Sequence, residues 1–423
     1  MSRLMKLSTA LVLAFALLAP MTVPAQAQAQ TIDYVAFGDS VAAGVRGGTG
    51  EASSDVGYTD LLETELKAAQ LGGGFNKDFC VSGATTSTLV NDTAVLRNAD
   101  SEKAKLVASA ELITLQIGAN DILAPFSAYV KSNGGAAGMD PAKAKEVLQQ
   151  VADSVPTKGP IVQANIETIL HNILTANPKA QIFVLGYYDP LPTASKFLGV
   201  DLRAPMQSFD GYIEKAALST AATGAQVTYV DISETMAARQ SENLVSTDIH
   251  PTEAGYAAIA ATLWARVKVF LPTVEESSDI PVPVVPTNST VLVNGSKIPF
   301  EAYNINGNNY FKLRDLAFAM NGSGKQFNVW AEGEGAALTV MLKSQTAYVP
   351  VGGELISSSG ASSALKRVPK TSLDGRSLTL TTYNIGGYNY VKLRDVGAAL
   401  DFGVGWDGAS STVTIDTSAH YAA

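Results

Sequence analysis

Short apolar runs alternate with longer segments of helical periodicity over residues 31 to about 271, and this alternation restricts the fold more than any other feature. Apolar runs rich in β-branched residues are typical of parallel strands that are buried on both faces. The predicted strands lie at 35–37, 112–115, 182–185 and 227–230. The predicted helices lie at 58–70, 142–152, 161–176, 212–222 and 253–270. This order predicts an α/β domain over residues 30–271, with helices on both faces of a parallel sheet.

The first residues have the organisation of a secretory signal peptide. Positive charge precedes an apolar run at 11–18, and small residues with an A-x-A pattern follow at 25–29. An uncleaved membrane anchor is the alternative, although the apolar run is short for a bilayer span. We therefore expect residues 1–29 to be a signal peptide and the mature protein to be secreted or associated with a bacterial cell envelope.

Composition limits the chemistry that the chain can perform. The formal net charge is −9 and no block of Lys and Arg stands out, which argues against a nucleic-acid or anionic-membrane binder. A single cysteine excludes an internal disulfide and a cysteine-based zinc cluster, and the three histidines are far apart in the sequence. We expect no metal, no cofactor, no nucleic-acid partner and no membrane span in the mature protein.

Three polar segments of the α/β part occupy positions that suit catalysis. Ser40 lies where the first predicted strand ends, and ligands gather at the carboxyl ends of parallel strands. Asn120 follows another strand, and its amide can donate a hydrogen bond to a developing oxyanion. His250 precedes the last helix of this part and can take a proton from a serine hydroxyl. The other histidines are less suitable as the base, because His171 is predicted to lie within a helix and His420 in a tail expected to fray.

Each of these residues also has a purely structural interpretation. Ser40 could cap a helix, and Asn120 could hydrogen-bond its own backbone in a turn. His250 could cap the last helix together with Asp248. In the catalytic interpretation, Asp248 is the preferred carboxylate to orient the imidazole, and Asp231 is a weaker substitute. These interpretations explain each residue separately, but they do not explain why all three segments occur together.

The same segments resemble the SGNH, or GDSL-type, hydrolases over about residues 31–271. Four blocks stand in the order of that family: Gly-Asp-Ser at 38–40, Ser-Gly-Ala-Thr-Thr at 82–86, Gly-Ala-Asn-Asp at 118–121 and His-Pro at 250–251. The resemblance implies a flavodoxin-like three-layer α/β/α fold. It also implies metal-independent hydrolysis of carboxylic esters through an acyl-enzyme on Ser40, with His250 as the base.

The resemblance assigns roles to further residues. It implies an oxyanion hole formed by the backbone N–H groups of Ser40 and Gly83 and by the side-chain amide of Asn120. The acid of this family usually stands three residues before the histidine, where this chain has Thr247. Asp248 would fill that role from a shifted position.

Three functions remain open at this point. The first is a secreted esterase, lipase or acylhydrolase that acts on small-molecule or lipid esters. The second is a non-enzymatic protein that binds the cell envelope. The shifted position of Asp248 supports this interpretation. The third is a carbohydrate O-deacetylase that acts on acylated glycans with the same site.

A second part of the chain follows a proline-rich segment and contains an internal repeat. Residues 272–290 are expected to form an extended linker. Residues 302–320 and 382–400 are identical at 11 of 19 positions with an offset of 80 residues. Because each half is small for an independent domain, we expect one smaller α+β domain of two half-repeats at 291–417, followed by a tail at 418–423.

This second part resembles the copper amine oxidase N-terminal-like stalk domain of exported bacterial proteins. The resemblance rests on Asn-Tyr-Phe-Lys-Leu-Arg-Asp at 309–315 and Asn-Tyr-Val-Lys-Leu-Arg-Asp at 389–395. It does not imply copper, because residues 291–417 contain no histidine and no cysteine. The repeated Tyr, Lys and Arg could form a surface for cell-wall polymer or glycan. We favour packing and capping roles for them, since repeats preserve their packing residues first.

Overall fold

The computed structural model describes residues 31–48, 56–134, 138–246, 248–272, 277–357 and 363–423. Residues from Thr31 to Ala423 form one compact unit. The predicted signal peptide at 1–29 and the position of Thr247 lie outside the described residues.

Five parallel strands form the sheet of the first part. They are β1 (Ile32–Gly38), β2 (Gly72–Cys80), β3 (Leu112–Gln116), β4 (Gln181–Leu185) and β5 (Val227–Val230). Their order across the sheet is β2-β1-β3-β4-β5, and every neighbouring pair is parallel. This is the flavodoxin-like order, which changes direction beside β1 and opens a crevice at the carboxyl edge of the sheet. The α/β fold predicted from the sequence is confirmed.

Helices surround this sheet. They are α1 (Ser40–Ala43), α2 (Tyr58–Ala68), α3 (Thr86–Thr93), α4 (Glu102–Ser109), α5 (Ala119–Ser132), α6 (Pro141–Ala176), α7 (Pro192–Leu198), α8 (Arg203–Ala221), α9 (Ser233–Ala238), α10 (Gln240–Asn243) and α11 (Glu253–Val267). Short 3-10 turns cover Ala94–Arg97 and Lys268–Phe270. Within the described ranges, no helix is both long and apolar enough to cross a membrane.

Two elements differ from the prediction. The strand β2 was missed because its sequence is polar and rich in glycine, which an edge strand with a single partner tolerates. The helices predicted at 142–152 and 161–176 are one helix, α6, which continues through Pro156 and Pro160. Its apolar face remains buried on both sides of the prolines, and this packing offsets the hydrogen bonds that they remove.

The described residues of the second part form three sheets and two helices. Its strands are β6 (Val282–Pro283), β7 (Thr290–Val293), β8 (Ser296–Lys297), β9 (Ala302–Ile305), β10 (Asn308–Lys312), β11 (Phe327–Glu332), β12 (Thr339–Ser344), β13 (Ser363–Arg367), β14 (Lys370–Leu373), β15 (Arg376–Leu378), β16 (Thr382–Ile385), β17 (Tyr388–Lys392), β18 (Gly403–Asp407) and β19 (Thr412–Asp416). Its helices are α12 (Leu313–Ala319) and α13 (Leu393–Leu400), and a 3-10 turn covers Gly335–Ala337. The sheet orders are β6-β13-β16-β17-β10-β9, β11-β12-β14-β15 and β18-β19-β7-β8.

The two half-repeats exchange strands. The repeat-related strands β10 and β17 pair antiparallel near the centre of the six-stranded sheet. In one four-stranded sheet, β11 and β12 of the first repeat lie beside β14 and β15 of the second. In the other, β18 and β19 of the second repeat lie beside β7 and β8 of the first. Neither half-repeat therefore completes its sheets without the other.

Two segments expected to be extended or frayed are packed. Within the proline-rich segment, β6 pairs antiparallel with β13. In the tail, Tyr421 is buried, and Nδ1 of His420 lies 2.7 Å from Oδ2 of Asp401. The backbone N–H of Tyr421 also donates to Asp401, at 3.2 Å. The expectation of a frayed tail is wrong because this carboxylate fixes the tail from a distant position in the sequence.

A continuous apolar core joins the two parts, and the side chains of two arginines cross the boundary. Arg266 on α11 is 3% exposed and forms an ion pair with Asp401 at 3.2 Å. Arg376 on β15 donates to Oγ1 of Thr228 and to Oε1 of Gln181, both at 2.8 Å. The second part is therefore packed directly against the sheet and last helix of the first.

Candidate active site

Ser40 is the first residue of α1 and directly follows the turn that ends β1. The carboxylate of Asp39 caps this helix, since its Oδ1 accepts the backbone N–H of Val41 at 3.0 Å. Gly38 has no space for a side chain, because a Cβ there would lie 2.4 Å from the carbonyl oxygen of Gln116. The close approach of β1 and β3 thus fixes the point at which Ser40 leaves the sheet. The cap is Asp39, so the hydroxyl of Ser40 is not used for capping.

His250 lies between Ser40 and Asp248. Its Nε2 is 2.8 Å from Oγ of Ser40, and its Nδ1 is 2.7 Å from Oδ1 of Asp248. Ser40 and His250 are 210 residues apart in the sequence, so only folding brings them together. The three side chains form one hydrogen-bonded chain at the carboxyl edge of the sheet.

The carboxylate of Asp248 is held by backbone groups as well as by the imidazole. Its Oδ2 accepts the N–H of Gly48 at 2.8 Å, and its Oδ1 accepts the N–H of His250 at 3.0 Å. Burial raises the pKa of Asp248, but the hydrogen bonds from His250 and Gly48 outweigh burial and leave this pKa below its usual value. An ionised Asp248 stabilises an imidazolium beside it. The weaker candidate, Asp231, instead accepts the N–H of Ser233 at 2.6 Å.

Gly83 and Asn120 follow β2 and β3, and hydrogen bonds tie their two segments together. Nδ2 of Asn120 donates to the carbonyl of Ala84 at 2.9 Å. The carboxylate of Asp121 accepts the backbone N–H and the hydroxyl of Thr86, at 2.9 and 2.7 Å. Gly83 lies in an exposed turn with φ of +80°, a conformation that favours glycine. The segments that carry these two candidate donors are therefore held side by side.

Tyr187 was not among the residues predicted for the site, and its hydroxyl donates to Oδ2 of Asp39 at 2.5 Å. Both side chains are buried. Burial raises the pKa of Asp39 to about 6, although the hydrogen bonds from Tyr187 and Val41 act in the opposite direction. Tyr187 stands two residues after β4, and its position at the carboxyl end of a strand was the signal that could have identified it.

The variant Asp39→Asn is expected to lose less stability than the wild type as the pH rises from 4 to 8. A raised pKa in the folded state gives a contribution to stability that is complete below the unfolded pKa. That contribution is lost as the pH rises through the folded value, so the window runs from 3.8 to about 6. Over this pH range, the wild type should lose about 2 to 3 kcal/mol more free energy of unfolding than Asp39→Asn does.

Urea unfolding at several pH values measures this difference, with the exposed Asp100→Asn as the control. Asparagine at position 39 keeps a side-chain oxygen for the helix cap. If the free energy of unfolding changed with pH in Asp39→Asn as it does in the wild type and the control, the proposed contribution of Asp39 to this pH dependence would be wrong.

A small cavity of about 10 Å³ lies beside Ser40 and Asn120. Its remaining walls are mostly apolar or aromatic and are formed by Val41, Ala119, Leu123, Tyr187, Tyr188, Pro190, Met206 and Ile249. Tyr188 also lines a second cavity, of about 100 Å³. Its hydroxyl donates to the carbonyl of Ile249 at 2.9 Å. Tyr188 therefore lines both cavities.

The other histidines lie away from this site. His171 is exposed on α6, and His420 contacts Asp401 where the two parts of the chain meet. Within the described part of the chain, no group of three or more His, Cys, Asp or Glu side chains is arranged to hold a metal ion.

A flavodoxin-like parallel sheet with polar side chains gathered at its carboxyl edge defines the class of α/β proteins that bind and transform ligands at that edge. Residues 36–258, more than half of the chain, match the model of the GDSL-like lipase/acylhydrolase family, and the protein belongs to that family. It is accordingly a hydrolase that acts on ester bonds.

Several solved structures are similar to about half of the chain. A lipase from a goat rumen metagenome is 22% identical with a TM-score of 0.39, over 56% of this chain and 97% of that one. An extracellular lipase from Streptomyces rimosus is 21% identical with a TM-score of 0.38, over 55% and 98%. A family 3 carbohydrate esterase from Clostridium thermocellum is 21% identical with a TM-score of 0.36, over 56% and 94%. No curated protein matches the chain.

Proposed function

We propose that the protein is a secreted serine hydrolase that cleaves carboxylic esters through an acyl-enzyme on Ser40. The proposal rests on the hydrogen bonds of His250, at 2.8 Å to Ser40 and 2.7 Å to Asp248. His250 takes the proton of Ser40 as the serine oxygen attacks the ester carbonyl, and it returns this proton to the leaving alcohol. Water then attacks the acyl-enzyme with His250 as the base, which releases the acid and restores Ser40.

In this mechanism the negative charge on the carbonyl oxygen is stabilised by three donors. They are the backbone N–H groups of Ser40 and Gly83 and the side-chain amide of Asn120. Donors fixed in advance are effective because they need no rearrangement when the charge develops. The bond from Asn120 to the carbonyl of Ala84 supplies such fixation.

The variant Asn120→Ala is expected to lower kcat by roughly 10²- to 10³-fold, equivalent to about 3 to 4 kcal/mol, because it removes one of the three oxyanion donors. The hydrolysis of p-nitrophenyl acetate measures this loss. Asn165→Ala is a matched control, since Asn165 donates to Oγ1 of Thr86 at 2.9 Å and supports the same pair of segments. Equal losses in the two variants would mean that Asn120 acts through structure rather than on the oxyanion.

The small cavity beside Ser40 favours a short acyl group such as acetyl. Its volume of about 10 Å³ is close to the space that a single water molecule needs. Because a short acyl group needs less enlargement of this space than a long acyl chain does, carbohydrate O-deacetylation is the second candidate function. Release of acetate from acetylated xylan, compared with release of fatty acid from a lipid ester, tests the choice between glycan and lipid.

The variant Tyr188→Ala is expected to raise the preference for p-nitrophenyl butyrate over acetate, measured as the ratio of kcat/KM values. Removal of the ring would join the cavity at Ser40 to the neighbouring one of about 100 Å³. Burial of two more CH₂ groups is worth about 1.6 kcal/mol, so the ratio should change by roughly 10-fold. Tyr188→Phe keeps the ring but loses the hydrogen bond to Ile249, and its ratio should stay that of the wild type. A change of equal size in both variants would refute the role of the ring as a wall.

We also propose that residues 1–29 direct export and that the second part associates with the cell wall. The supporting observations are the signal-like pattern of the N-terminal sequence and the resemblance of residues 291–417 to the copper amine oxidase N-terminal-like stalk domain. Retention of the full-length protein on washed bacterial cell walls at physiological salt is the expected result. Free elution would count against the association.

A further inference from the structure

The second part contains a cavity of about 350 Å³, much larger than the pocket beside Ser40. It lies among the start of α12, the hairpin of β11 and β12, and β17, so both half-repeats contribute to its walls. Cavities of about 300 to 1,000 Å³ with apolar walls and a few fixed polar groups are typical of small-ligand sites. The mechanism of ester hydrolysis does not use this cavity.

Asp315 supplies a polar group of this kind at the cavity wall. Its side chain is 1% exposed, and its Oδ1 accepts the N–H of Leu355 at 3.0 Å. Its Oδ2 is buried and has no hydrogen-bond partner among the described residues. The repeat-related Asp395 differs, since its Oδ2 accepts the N–H of Thr381 at 2.9 Å. Because buried acceptors without a donor are rare in folded proteins, Asp315 is suited to a ligand that brings a donor.

Two aromatic side chains supply apolar contact area in the same cavity. Trp330 is half-buried, and its ring is held by a hydrogen bond from Nε1 to Oε1 of Glu332 at 2.7 Å. Tyr388 is 53% exposed, and Nζ of Lys312 lies 4.6 Å from the centre of its ring. Rigid aromatic rings provide a large contact area with little loss of conformational entropy. The C–H faces of a pyranose ring can pack on such rings.

The charges along the cavity wall indicate an uncharged ligand. Lys312 and Arg314 contribute two positive charges, and Asp315 and Glu354 contribute two negative charges. With no net charge at the wall, a polyanion or a polycation gains no overall attraction. A sugar has hydroxyl groups that can donate to a polar group of the wall, and apolar ring faces that can pack on its aromatic side chains.

We propose that this cavity binds a sugar residue of a neutral polysaccharide, with its ring packed against Trp330 and one of its hydroxyl groups directed towards the carboxylate of Asp315. The inference rests on the proposed association with cell-wall glycan only for the natural source of the polysaccharide. The chemistry of the cavity does not depend on hydrolysis at Ser40.

Affinity electrophoresis of the full-length Ser40→Ala protein tests this proposal without turnover of the probe. The gels contain hydroxyethyl cellulose, glycol chitin or xylan, and at least one of these polymers should retard the protein. Adding Trp330→Ala or Asp315→Asn should raise the apparent Kd by roughly 10-fold or more, as expected for the loss of a central contact or of a charged hydrogen-bond acceptor. Trp406→Ala is the control, since Trp406 is 52% exposed in the same part of the chain but does not line the cavity.

Two outcomes would overturn the proposal. One is unchanged mobility in all three polymers, and the other is an equal loss of retardation in the Trp330 and Trp406 variants. With Ser40 intact, the three cavity and control variants should hydrolyse p-nitrophenyl acetate at the wild-type rate, which also verifies that they fold. Failure of glycan binding would leave that rate unchanged, whereas failure of the proposed hydrolysis would not affect the gel result.

Discussion

The variant Ser40→Ala is expected to lower kcat for p-nitrophenyl acetate by about 10⁴- to 10⁶-fold, and His250→Ala should lower it by a similar factor. The serine oxygen forms the bond to the acyl group, and the imidazole must take its proton, so loss of either group ends the same step. The double variant should therefore be little slower than either single variant, since residues that act as a unit are not additive.

His171→Ala is the matched control for this experiment, because His171 is exposed on α6 and should leave the rate unchanged. A fluorophosphonate probe provides a second readout and should label the wild type but not Ser40→Ala. Equal hydrolysis rates for the wild type, Ser40→Ala and His250→Ala would favour the non-enzymatic, envelope-binding alternative.

The variant Arg266→Ala is expected to lower the free energy of unfolding by about 3 to 5 kcal/mol. Arg266 is buried, pairs with Asp401 at 3.2 Å, and donates to the carbonyl groups of Ala398 and Tyr229. Truncation would leave these acceptors with fewer donors and open a space in the core that joins the two parts of the chain. Urea unfolding at constant pH measures the loss.

Arg203→Ala is the control for the buried arginine. Arg203 pairs with Glu234 at 3.7 Å, but both side chains are about two-thirds exposed. Its removal should cost no more than about 0.5 kcal/mol, because exposed ion pairs contribute little. Similar losses in the two variants would mean that Arg266 contributes little beyond an exposed ion pair.

The first part could be predicted well because its signals are local. Strands buried on both faces appear in the sequence as unbroken apolar runs, and Ser40, Asn120 and His250 stand next to the ends of such elements. The edge strand β2 gave no such run, since it has a partner on one side only. The contact of Tyr187 with Asp39 was also missed, because it depends on how two strand ends meet and not on a pattern within either segment.

The second part shows the limit of the same reasoning. The repeat with an offset of 80 residues predicted recurring elements, and β9, β10 and α12 do recur as β16, β17 and α13. No local pattern, however, indicates which strand pairs with which across the repeats. The packing of His420 was missed for a related reason, since its partner Asp401 lies 19 residues earlier and belongs to the end of a helix.

The exchange of strands between the repeats affects what a single cut in the second part would do. The strand β19 of the second repeat pairs in parallel with β7 of the first. A protease that cut the chain between the two repeats would leave both fragments joined through these paired strands. Since a nicked chain comes apart only where its fragments detach at low cost, the interlocked sheets should keep the cut protein assembled.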